Sequence, residues 1–346
     1  KQSSDDPLPT SLLKSCAEEL APFLTRLVSL SLSAGIVPSK FKAAVITPLL
    51  KKPTLDGADV RSYRPISNLP VISKLLERAV CSQLVNYLNI NNLMPEKQSA
   101  YRSFHSTETA LAKVLNDILT AIDSGDISLL ALLDLSAAFD TVDHDILLQR
   151  LNISFGLSST VLGWLRSYLC CRSQCVRRGN QVSSTSIMTC GVPQGSVLGP
   201  LLFLLYTADL APLIRQHDLD CHLYADDTQI YGHSSPGSTS TLHNTTELCI
   251  STVACWMRRN RLQLNAAKTE FIWCASSRRQ HQISSSAFRV GSDSVQPASV
   301  VRDLGLFMDN ELSMKAHINN LVRTCFGILR GLRPSDVHCR LTRPNY

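Results

Sequence analysis

Hydrophobic residues recur along the chain in two patterns, which together predict an alternation of helices and strands. Apolar residues at helical spacing predict amphipathic helices over residues 9–34, 70–90, 107–124, 144–155, 159–169, 240–259 and 314–332. Shorter apolar runs predict strands at residues 41–50, 127–135, 269–274 and 300–308, and a hairpin over 174–188 that turns at Gly179 and Asn180. One buried helix is predicted over residues 197–213. The elements alternate without the regular rhythm of a doubly wound sheet, so the pattern favours an α+β fold.

Two short apolar strands meet at an adjacent pair of aspartates. Leu223 and Tyr224 precede Asp226 and Asp227, and the chain becomes apolar again at Ile230, which predicts a hairpin with both carboxylates at its tip. Neighbouring carboxylates repel each other unless a cation lies between them, and hard oxygen ligands on a small, hydrated ion are typical of a magnesium site. An ordinary solvated turn is the alternative, because Asp is a common turn residue.

Asp134 ends the apolar run that predicts a buried central strand. A charge there is unfavourable unless it binds something. With Asp226 and Asp227 on a neighbouring strand, it forms a set of carboxylates suited to two divalent ions that stabilise a phosphoryl displacement. The alternative role for Asp134 is an N-cap for the following helix. Asp140 and Asp143 fit that role better and are therefore excluded from the predicted catalytic set.

Composition narrows the class of protein. The chain has 346 residues and a net charge of +6, a moderate basic excess that fits a polyanionic partner. Its 12 cysteines, without a signal peptide, are typical of reduced thiols in an intracellular protein; zinc at Cys170, Cys171 and Cys175 is the lesser alternative. The longest apolar run, near residues 198–206, is too short to cross a bilayer, so no membrane partner is expected. The chain begins at Lys1 rather than Met, as a fragment would.

Three motifs then follow one another in a fixed order. Asp134 has Phe139 five residues on, Gly-Val-Pro-Gln-Gly-Ser occupies residues 191–196, and Tyr-Ala-Asp-Asp occupies residues 224–227. These motifs resemble the palm motifs of reverse transcriptases, and the residues around them are similar to those of non-LTR (LINE-type) retrotransposons, especially jockey-like elements. The resemblance covers roughly residues 40–310.

The resemblance implies a right-hand polymerase fold, with fingers, an antiparallel palm sheet and a partial thumb. The implied domains are an N-terminal connector with an amphipathic helix at residues 1–36, fingers and palm at 37–310, and the start of a truncated thumb at 311–346. The connector would lead to an endonuclease that such elements carry further towards the N-terminus.

The resemblance also implies the catalytic groups. Two Mg²⁺ ions would be held by the carboxylates of Asp134, Asp226 and Asp227 and by the backbone carbonyl of Leu135. Lys268, in a following motif, would donate a proton to the leaving pyrophosphate or neutralise phosphate charge. A solvated lysine after a helix is the alternative for that residue.

Two further motif positions are implied to contact the incoming nucleotide. Phe139 matches an aromatic gate that stacks under the sugar and excludes a 2′-hydroxyl, with plain core packing as the alternative. Gln194, beside Gly195, would contact the nascent base pair or the template. Gly191 and Gly195 would let the backbone approach nucleic acid closely, with an ordinary turn as the alternative.

Upstream and downstream positions complete the implied substrate contacts. Arg64 and Lys51 or Lys52 match basic finger positions that meet the triphosphate, Arg as a bidentate ligand and Lys as a point charge; exposed loop residues are the alternative. The positions implied to contact template or primer are Gln98, Arg102, Tyr224, Leu304 and Gly305.

The predicted activity is RNA-directed DNA polymerisation in retrotransposition. A primer 3′-hydroxyl, from a DNA primer or nicked target DNA, would attack the α-phosphate of a dNTP on an RNA template. The alternative of another class is a catalytically impaired remnant or a domesticated nucleic-acid-binding fragment. An RNA-templated RNA polymerase shares the palm logic, but Phe139 at the gate argues against ribonucleotides. The expected localisation is intracellular, in the nucleus or a cytoplasmic ribonucleoprotein.

Overall fold

The computed structural model describes residue 6 and residues 9–339, with side chains described as far as residue 332. The outer ends of the predicted connector (residues 1–5, 7 and 8) and of the predicted thumb (residues 340–346) lie outside the described residues.

The helices of the described chain lie close to the positions that the apolar spacing predicts. They are α1 (Thr10–Ser15), α2 (Ala17–Ala34), α3 (Val71–Ile90), α4 (Thr107–Asp123), α5 (His144–Ile153), α6 (Ser159–Leu169), α7 (Leu198–Tyr206), α8 (Leu210–Arg215), α9 (Thr239–Arg259) and α10 (Lys315–Cys339). The strands are β1 (Ala43–Leu50), β2 (Tyr63–Asn68), β3 (Ile127–Leu133), β4 (Leu135–Ser136), β5 (Ser173–Arg178), β6 (Gln181–Val182), β7 (Ser186–Ile187), β8 (Asp220–Tyr224), β9 (Asp227–Ser234), β10 (Gln263–Leu264), β11 (Glu270–Cys274), β12 (Phe288–Val290), β13 (Asp293–Val295), β14 (Val300–Asp303) and β15 (Leu306–Asp309).

The first compact unit consists of Lys1–Ser103, Leu135–Pro212 and Ala254–Leu264. Its mixed sheet has the strand order β2-β1-β5-β6, with β7 also paired to β5. Strand β1 is antiparallel to β2 and parallel to β5. Nearly all residues of α7 are buried, and the helix packs on α3 and α5, which explains its uninterrupted apolar sequence.

The second compact unit consists of Phe104–Asp134, Leu213–Val253 and Asn265–Tyr346. Its main sheet is antiparallel with the order β11-β3-β9-β8. Central strand β3 is almost entirely buried, which accounts for its continuous apolar run. Helix α4 and the β14–β15 hairpin contribute side chains to one core with this sheet, including Val114, Leu130, Tyr231, Val301 and Met308.

Several predicted elements are divided in the structure. The helix predicted over 9–34 forms α1 and α2, and the segment predicted as strand over 300–308 forms β14 and β15. The predicted strand over 127–135 ends at Leu133, and Leu135 instead pairs with Leu264 in a separate ladder of β4 and β10. The predicted helix over 197–213 is two helices, α7 and α8. A proline inside a helix lacks an N–H and clashes with the preceding turn, but it is tolerated in the first turn. The break between α7 and α8 places Pro212 in the first turn of α8.

The segment Leu198–Arg215 satisfies the length and composition expected of a membrane span, with a mean hydropathy of 1.3. However, 67% of it is buried inside the protein, and it comprises α7 and α8. A core helix has the same properties, so the segment gives little support to a membrane role.

Candidate active site

The adjacent aspartates lie on the β8–β9 hairpin that the flanking apolar residues predicted. Tyr224 pairs with Asp227, so Ala225 and Asp226 form the two-residue turn between the strands. Asp227 is therefore the first residue of β9 rather than part of the turn. Ala225 has a φ of +57°, which is unfavourable for a residue with a side chain and is common where the backbone serves a function.

Asp134 lies beside this hairpin, as the sequence predicted. Strand β3 pairs with β9 in a register that joins Leu133 to Thr228, and one further step along both strands places Asp134 opposite Asp227. Because partners in an antiparallel pair project from the same face of the sheet, the carboxylates of Asp134 and Asp227 face the same side. Three carboxylates, including that of Asp226, thus come together at one end of the sheet.

The charge of this cluster changes the acidity of Asp227. Part of its side chain remains accessible, but limited hydration and the negative charges of Asp226, Asp134 and Asp303 raise the pKa of the Asp227 carboxyl to about 7. The Lys268 ammonium acts in the opposite direction, lowering that pKa. The cluster therefore favours the binding of a proton or a cation.

Lys268 lies at the cluster. Its Nζ is 3.0 Å from Oδ2 of Asp134, and Nδ2 of Asn265 donates a weaker bond of 3.3 Å to the same oxygen. A short 3₁₀ turn, Ala266–Lys268, places the lysine just before β11, which pairs with β3. The ammonium balances part of the carboxylate charge, and its side chain remains largely exposed towards solvent.

The donor set fits Mg²⁺, which binds one or two carboxylates and keeps its remaining sites for water and substrate oxygens. Within the described part of the chain, no three His, Cys, Asp or Glu side chains are grouped so that they could hold a metal ion by themselves. The carboxylates of Asp134, Asp226 and Asp227 are close enough to interact electrostatically, and metal binding by them stays a prediction. The cysteines considered for zinc, Cys170, Cys171 and Cys175, are free thiols, and no zinc site forms among the described residues.

A buried pair next to the cluster was missed by the sequence reasoning. Nε2 of Gln229 donates to both carboxylate oxygens of Asp303, at 2.7 and 2.6 Å. Burial raises the pKa of Asp303 to about 6, although the bonds from Gln229 oppose that rise. The available signal was the position of Gln229 two residues after Asp227, on the same face of β9.

The predicted primer-contacting hairpin at Leu304 and Gly305 is present as β14–β15. Asp303 pairs with Leu306, so these two residues form the turn, with φ values of +44° and +99°. Two positive φ angles are typical of tight hairpin turns, and the first is strained for Leu. Contact with a primer stays a prediction, as does that of Tyr224, which pairs with Asp227.

In the first unit, Phe139 is half-buried and its ring stacks on Phe203, with centroids 4.6 Å apart. One face of the Phe139 ring therefore packs in the core, as the alternative predicted, and the role of Phe139 as a gate for the nucleotide sugar stays a prediction. Leu135 is buried in β4.

Asp140 positions the amide of Gln194. Nε2 of Gln194 donates to both oxygens of Asp140, at 3.1 and 3.2 Å. The N-cap expectation is thus wrong for Asp140, whose carboxylate binds a side chain of a distant loop. The N-cap prediction is confirmed for Asp143, which accepts hydrogen bonds from the backbone N–H groups of Asp145 and Ile146 at the start of α5.

The glycines on either side of Gln194 approach the protein's own backbone. A Cβ on Gly191, at φ +85°, would lie 2.8 Å from the carbonyl oxygen of Asp140. A Cβ on Gly195, at φ +100°, would lie 3.1 Å from the carbonyl oxygen of Ser67. These contacts explain both glycines by packing, and approach to nucleic acid stays a prediction.

The predicted basic contacts of the first unit are on its surface. Arg64 is exposed on β2, opposite Leu49. Lys52 is exposed, and Lys51 is exposed while its Nζ donates to the carbonyl of Arg61 at 2.8 Å.

Gln98 and Arg102 differ in accessibility. Gln98 is only 3% exposed, and its Oε1 accepts from the backbone N–H of Ala100 at 2.9 Å. Arg102 is partly exposed. Of this pair, Arg102 is the better placed to reach a template.

The sequence matches a protein-family model and is similar to curated proteins. The family model described as "Reverse transcriptase (RNA-dependent DNA polymerase)" matches residues 50–296. The chain is 30% identical, over 96% of its length and 36% of the relative's, to "Probable RNA-directed DNA polymerase from transposon BS" of Drosophila melanogaster. It is 27% identical, over 93% of its length and 35% of the relative's, to "RNA-directed DNA polymerase from mobile element jockey" of the same species. The chain thus spans about a third of the length of these curated relatives.

A solved structure shares the fold. The structure of apo telomerase from Candida tropicalis, truncated from its C-terminal domain, matches with a TM-score of 0.54 and 14% identity, over 81% of this chain and 55% of that chain. At this identity the likeness shows the fold alone, and it confirms the predicted mixed helix-and-strand, right-hand polymerase fold.

Proposed function

The chain belongs to the reverse transcriptase family and is homologous to RNA-directed DNA polymerases of Drosophila mobile elements, and from this premise we propose that it polymerises DNA on an RNA template. The 3′-hydroxyl of a primer attacks the α-phosphate of a dNTP, a new phosphodiester bond forms, and pyrophosphate leaves. The primer is a DNA strand or nicked target DNA, and the reaction serves retrotransposition.

The carboxylate cluster at the β8–β9 hairpin is the observation that supports this proposal. Asp134 lies opposite Asp227 across the ladder, next to Asp226 in the turn, and limited hydration together with mutual repulsion raises the pKa of Asp227 to about 7. Either a proton or a cation relieves repulsion among clustered carboxylates, and the proposal assigns this role to a cation. Their open side leaves room for phosphate oxygens on the same cation.

Two Mg²⁺ ions would be held by Asp134, Asp226, Asp227 and the carbonyl of Leu135. When bound, such ions supply Lewis-acid stabilisation of the negative charge on the transferring phosphoryl group. Lys268, which now pairs with Asp134 at 3.0 Å, is proposed to donate a proton to the departing pyrophosphate or to neutralise its charge. Its largely exposed side chain has the freedom that this role requires.

Side chains of the first unit are proposed to select and orient the nucleotide. Phe139 presents the ring face that is not stacked on Phe203 to the sugar. Gln194, held by Asp140, contacts the base pair, and Gly195 gives its loop close approach. Arg64, with Lys51 or Lys52, binds the triphosphate through charge-assisted hydrogen bonds.

The remaining assignments are proposals of the same kind. Template and primer contacts are assigned to Gln98, Arg102, Tyr224, Leu304 and Gly305. Residues 1–36 are proposed as a connector, 37–310 as fingers and palm, and 311–346 as the start of the thumb. A polymerase of this kind works where its RNA template meets DNA, which supports a location in the nucleus or a cytoplasmic ribonucleoprotein.

The test is primer extension on an RNA template with dNTPs and Mg²⁺. Wild-type protein should extend the primer, and Asp226→Asn should reduce extension at least about 1,000-fold, because it removes a proposed metal ligand. Asp220→Asn, at the opposite end of the same hairpin, is the matched control and should retain wild-type extension. Duplex binding without extension by the wild type would support the impaired remnant instead.

A further inference from the structure

The buried Asp303 carboxylate lies close to the catalytic cluster but has no place in the chemistry described so far. It is 3% exposed, and its charge is met by the Gln229 amide, itself 1% exposed, rather than by a cation. A buried carboxylate solvated only by an amide destabilises the folded state. Residues that are unfavourable for folding and lie next to a reaction centre are candidates for a functional role.

Gln229 connects this carboxylate to the strand that begins with a proposed metal ligand. Asp227, Gln229 and Tyr231 alternate along β9 and therefore share one face. Tyr231 packs in the same core as Val301, and Val301 shares its face of β14 with Asp303. The two hydrogen bonds from Gln229 to Asp303 thus join β9 to β14, on the faces of these strands that pack into the shared core.

Asp303 is also the last residue before the turn of the β14–β15 hairpin. It pairs with Leu306 across Leu304 and Gly305, and Leu304 has a strained φ of +44°. A strained turn keeps its conformation only where surrounding contacts hold its ends. The bonds from Gln229 to Asp303 hold one of those ends against β9.

We propose that Asp303 is a positioning residue that acts through Gln229 to fix the β14–β15 turn relative to Asp227, and so sets the primer terminus against the carboxylate cluster. This inference rests on the proposed function. Gln229 and Asp303 touch no substrate in this account; they determine where the turn and the metal-binding strand lie with respect to each other.

The test is a double-mutant cycle with Asp303→Leu, Gln229→Met and the double variant. Each single variant should slow single-nucleotide extension about 10- to 100-fold, since small displacements of reacting groups have effects of this size. Each should also weaken binding of a primer–template duplex, measured without divalent cations, while the KM for dNTP changes less than about twofold. The double variant should be no slower than the singles, because both remove the same link.

Tyr231→Phe is the matched control. It removes a partly buried hydrogen bond of 2.7 Å, from Tyr231 to Asp117, on the same strand and the same face but further from Asp227. Its extension rate should stay within about twofold of wild type, because it does not alter the Gln229–Asp303 link. An equal slowing by Tyr231→Phe would show a general effect of core stability and would overturn the inference.

Asp303→Asn keeps the test decisive if the larger changes impair folding. It removes the charge but keeps one acceptor for Nε2 of Gln229, so extension and duplex affinity should be within about fivefold of wild type. Loss of extension by Asp303→Asn equal to that of Asp303→Leu, or additive effects in the cycle, would refute the positioning role. A wild type that does not extend primers would contradict the proposed function itself, whereas an active wild type with unchanged variants would contradict only this inference.

Discussion

At the scale of single residues, the acidity of Asp227 differs from that of a carboxyl in a solvated turn. A carboxyl in an ordinary turn is ionised at neutral pH. Restricted hydration and three neighbouring carboxylates instead raise the pKa of Asp227 to about 7. The free protein therefore holds an arrangement of charges that a cation would relieve, which leads to a prediction about stability rather than activity.

Asp227→Asn should raise the melting temperature in EDTA and reduce the further rise that Mg²⁺ produces. The substitution removes one of the repelling carboxylates, and ligands stabilise a protein in proportion to their binding. Thermal unfolding followed with and without millimolar Mg²⁺ measures both effects. Asp220→Asn, at an exposed position on β8, is the control and should respond to Mg²⁺ as wild type does. An undiminished Mg²⁺ response in Asp227→Asn would remove this residue from the metal site.

Asp303 predicts a pH dependence of stability. The pKa of Asp303 rises from an ordinary value of 3.8 to about 6 on folding. Between pH 3.8 and about 6, therefore, the carboxyl is protonated in the folded state and ionised in the unfolded state. Stability from this group is therefore highest below about pH 4, falls as the pH rises to about 6, and stays low above it. Asp303→Asn should gain up to about 3 kcal/mol in unfolding free energy, relative to wild type, between pH 4 and 7.

Urea titrations at pH values from 4 to 7 measure this change in unfolding free energy, and Asp309 supplies a control of opposite sign for them. Although burial opposes the effect, hydrogen bonds from Ser313 hold the pKa of Asp309 below its ordinary value. Its contribution is thus present above the unfolded pKa and is lost as the pH falls through the folded one. Asp309→Asn should lose stability at pH 7 relative to acid. If the unfolding free energies of Asp303→Asn and Asp309→Asn, each relative to wild type, changed with pH in the same direction, the assigned pKa of Asp303 would be contradicted.

Sequence reasoning found the residues whose chemistry is visible locally and missed those defined by distant contacts. Asp226 and Asp227 are adjacent, and Asp134 ends an apolar run, so each has a local signal. Asp303 has none, because its meaning comes from Gln229, which is 74 positions away in the chain. Asp140 was assigned to a cap because its partner, Gln194, is also remote, 54 positions further along the chain.

At the scale of elements, the loop that holds Gln194 is fixed from both sides. Gly191 lies against Asp140, and the helix that follows the loop, α7, begins at a buried carboxylate: Oε2 of Glu77 accepts from the backbone N–H of Val197 and Leu198 at 2.7 and 3.1 Å. A carboxylate at a helix N-terminus satisfies free N–H groups and the positive end of the helix dipole. Contacts with Asp140 and Glu77 therefore hold both ends of the loop in place.

Gly191→Ala should destabilise the first unit and misplace Gln194. The new Cβ would lie 2.8 Å from the Asp140 carbonyl oxygen, and φ of +85° is unfavourable for alanine. A loss of about 2–4 kcal/mol in unfolding free energy is expected in urea titrations. Gly179→Ala is the matched control, because Gly179 has a φ of +60° but nothing within 4 Å of its added Cβ. Its loss should be about 1 kcal/mol; equal losses would show that the close approach to Asp140 has no energetic weight.

Element positions were predictable wherever one apolar face defined them. The helices over α3, α4 and α6, and the hairpin that turns at Gly179, match their predicted positions within a residue or two. The division of the 197–213 helix was not predicted, although Thr207 and Asp209 interrupt the apolar run at the break and Pro212 follows shortly after it. The switch of partner between Leu133 and Leu135 depends on β10, more than 120 positions later.

At the scale of the whole chain, each compact unit is assembled from three separate segments. Asp134 ends a segment of one unit, and Leu135 begins a segment of the other. The range 37–310, which the family resemblance implied for fingers and palm, is contiguous and stays a prediction; the three-segment units rest on long-range contacts that local sequence patterns do not show. The order of motifs still identified the family, because a motif depends on residue identity and spacing rather than on the contacts that surround it.

The net charge of +6 is moderate, so the local placement of basic residues is expected to determine where substrate phosphates bind. If Arg64 binds the triphosphate, Arg64→Ala should raise the KM for dNTP about 10-fold, as expected for loss of a charge-assisted bond. The salt dependence of primer–template binding should be unchanged, because its slope counts phosphates contacted on the duplex. Arg166→Ala, an exposed arginine of the same unit paired with Asp145, is the control for both measurements. A shallower salt slope in Arg64→Ala, with the KM for dNTP unaltered, would place Arg64 on the nucleic-acid backbone instead of the triphosphate.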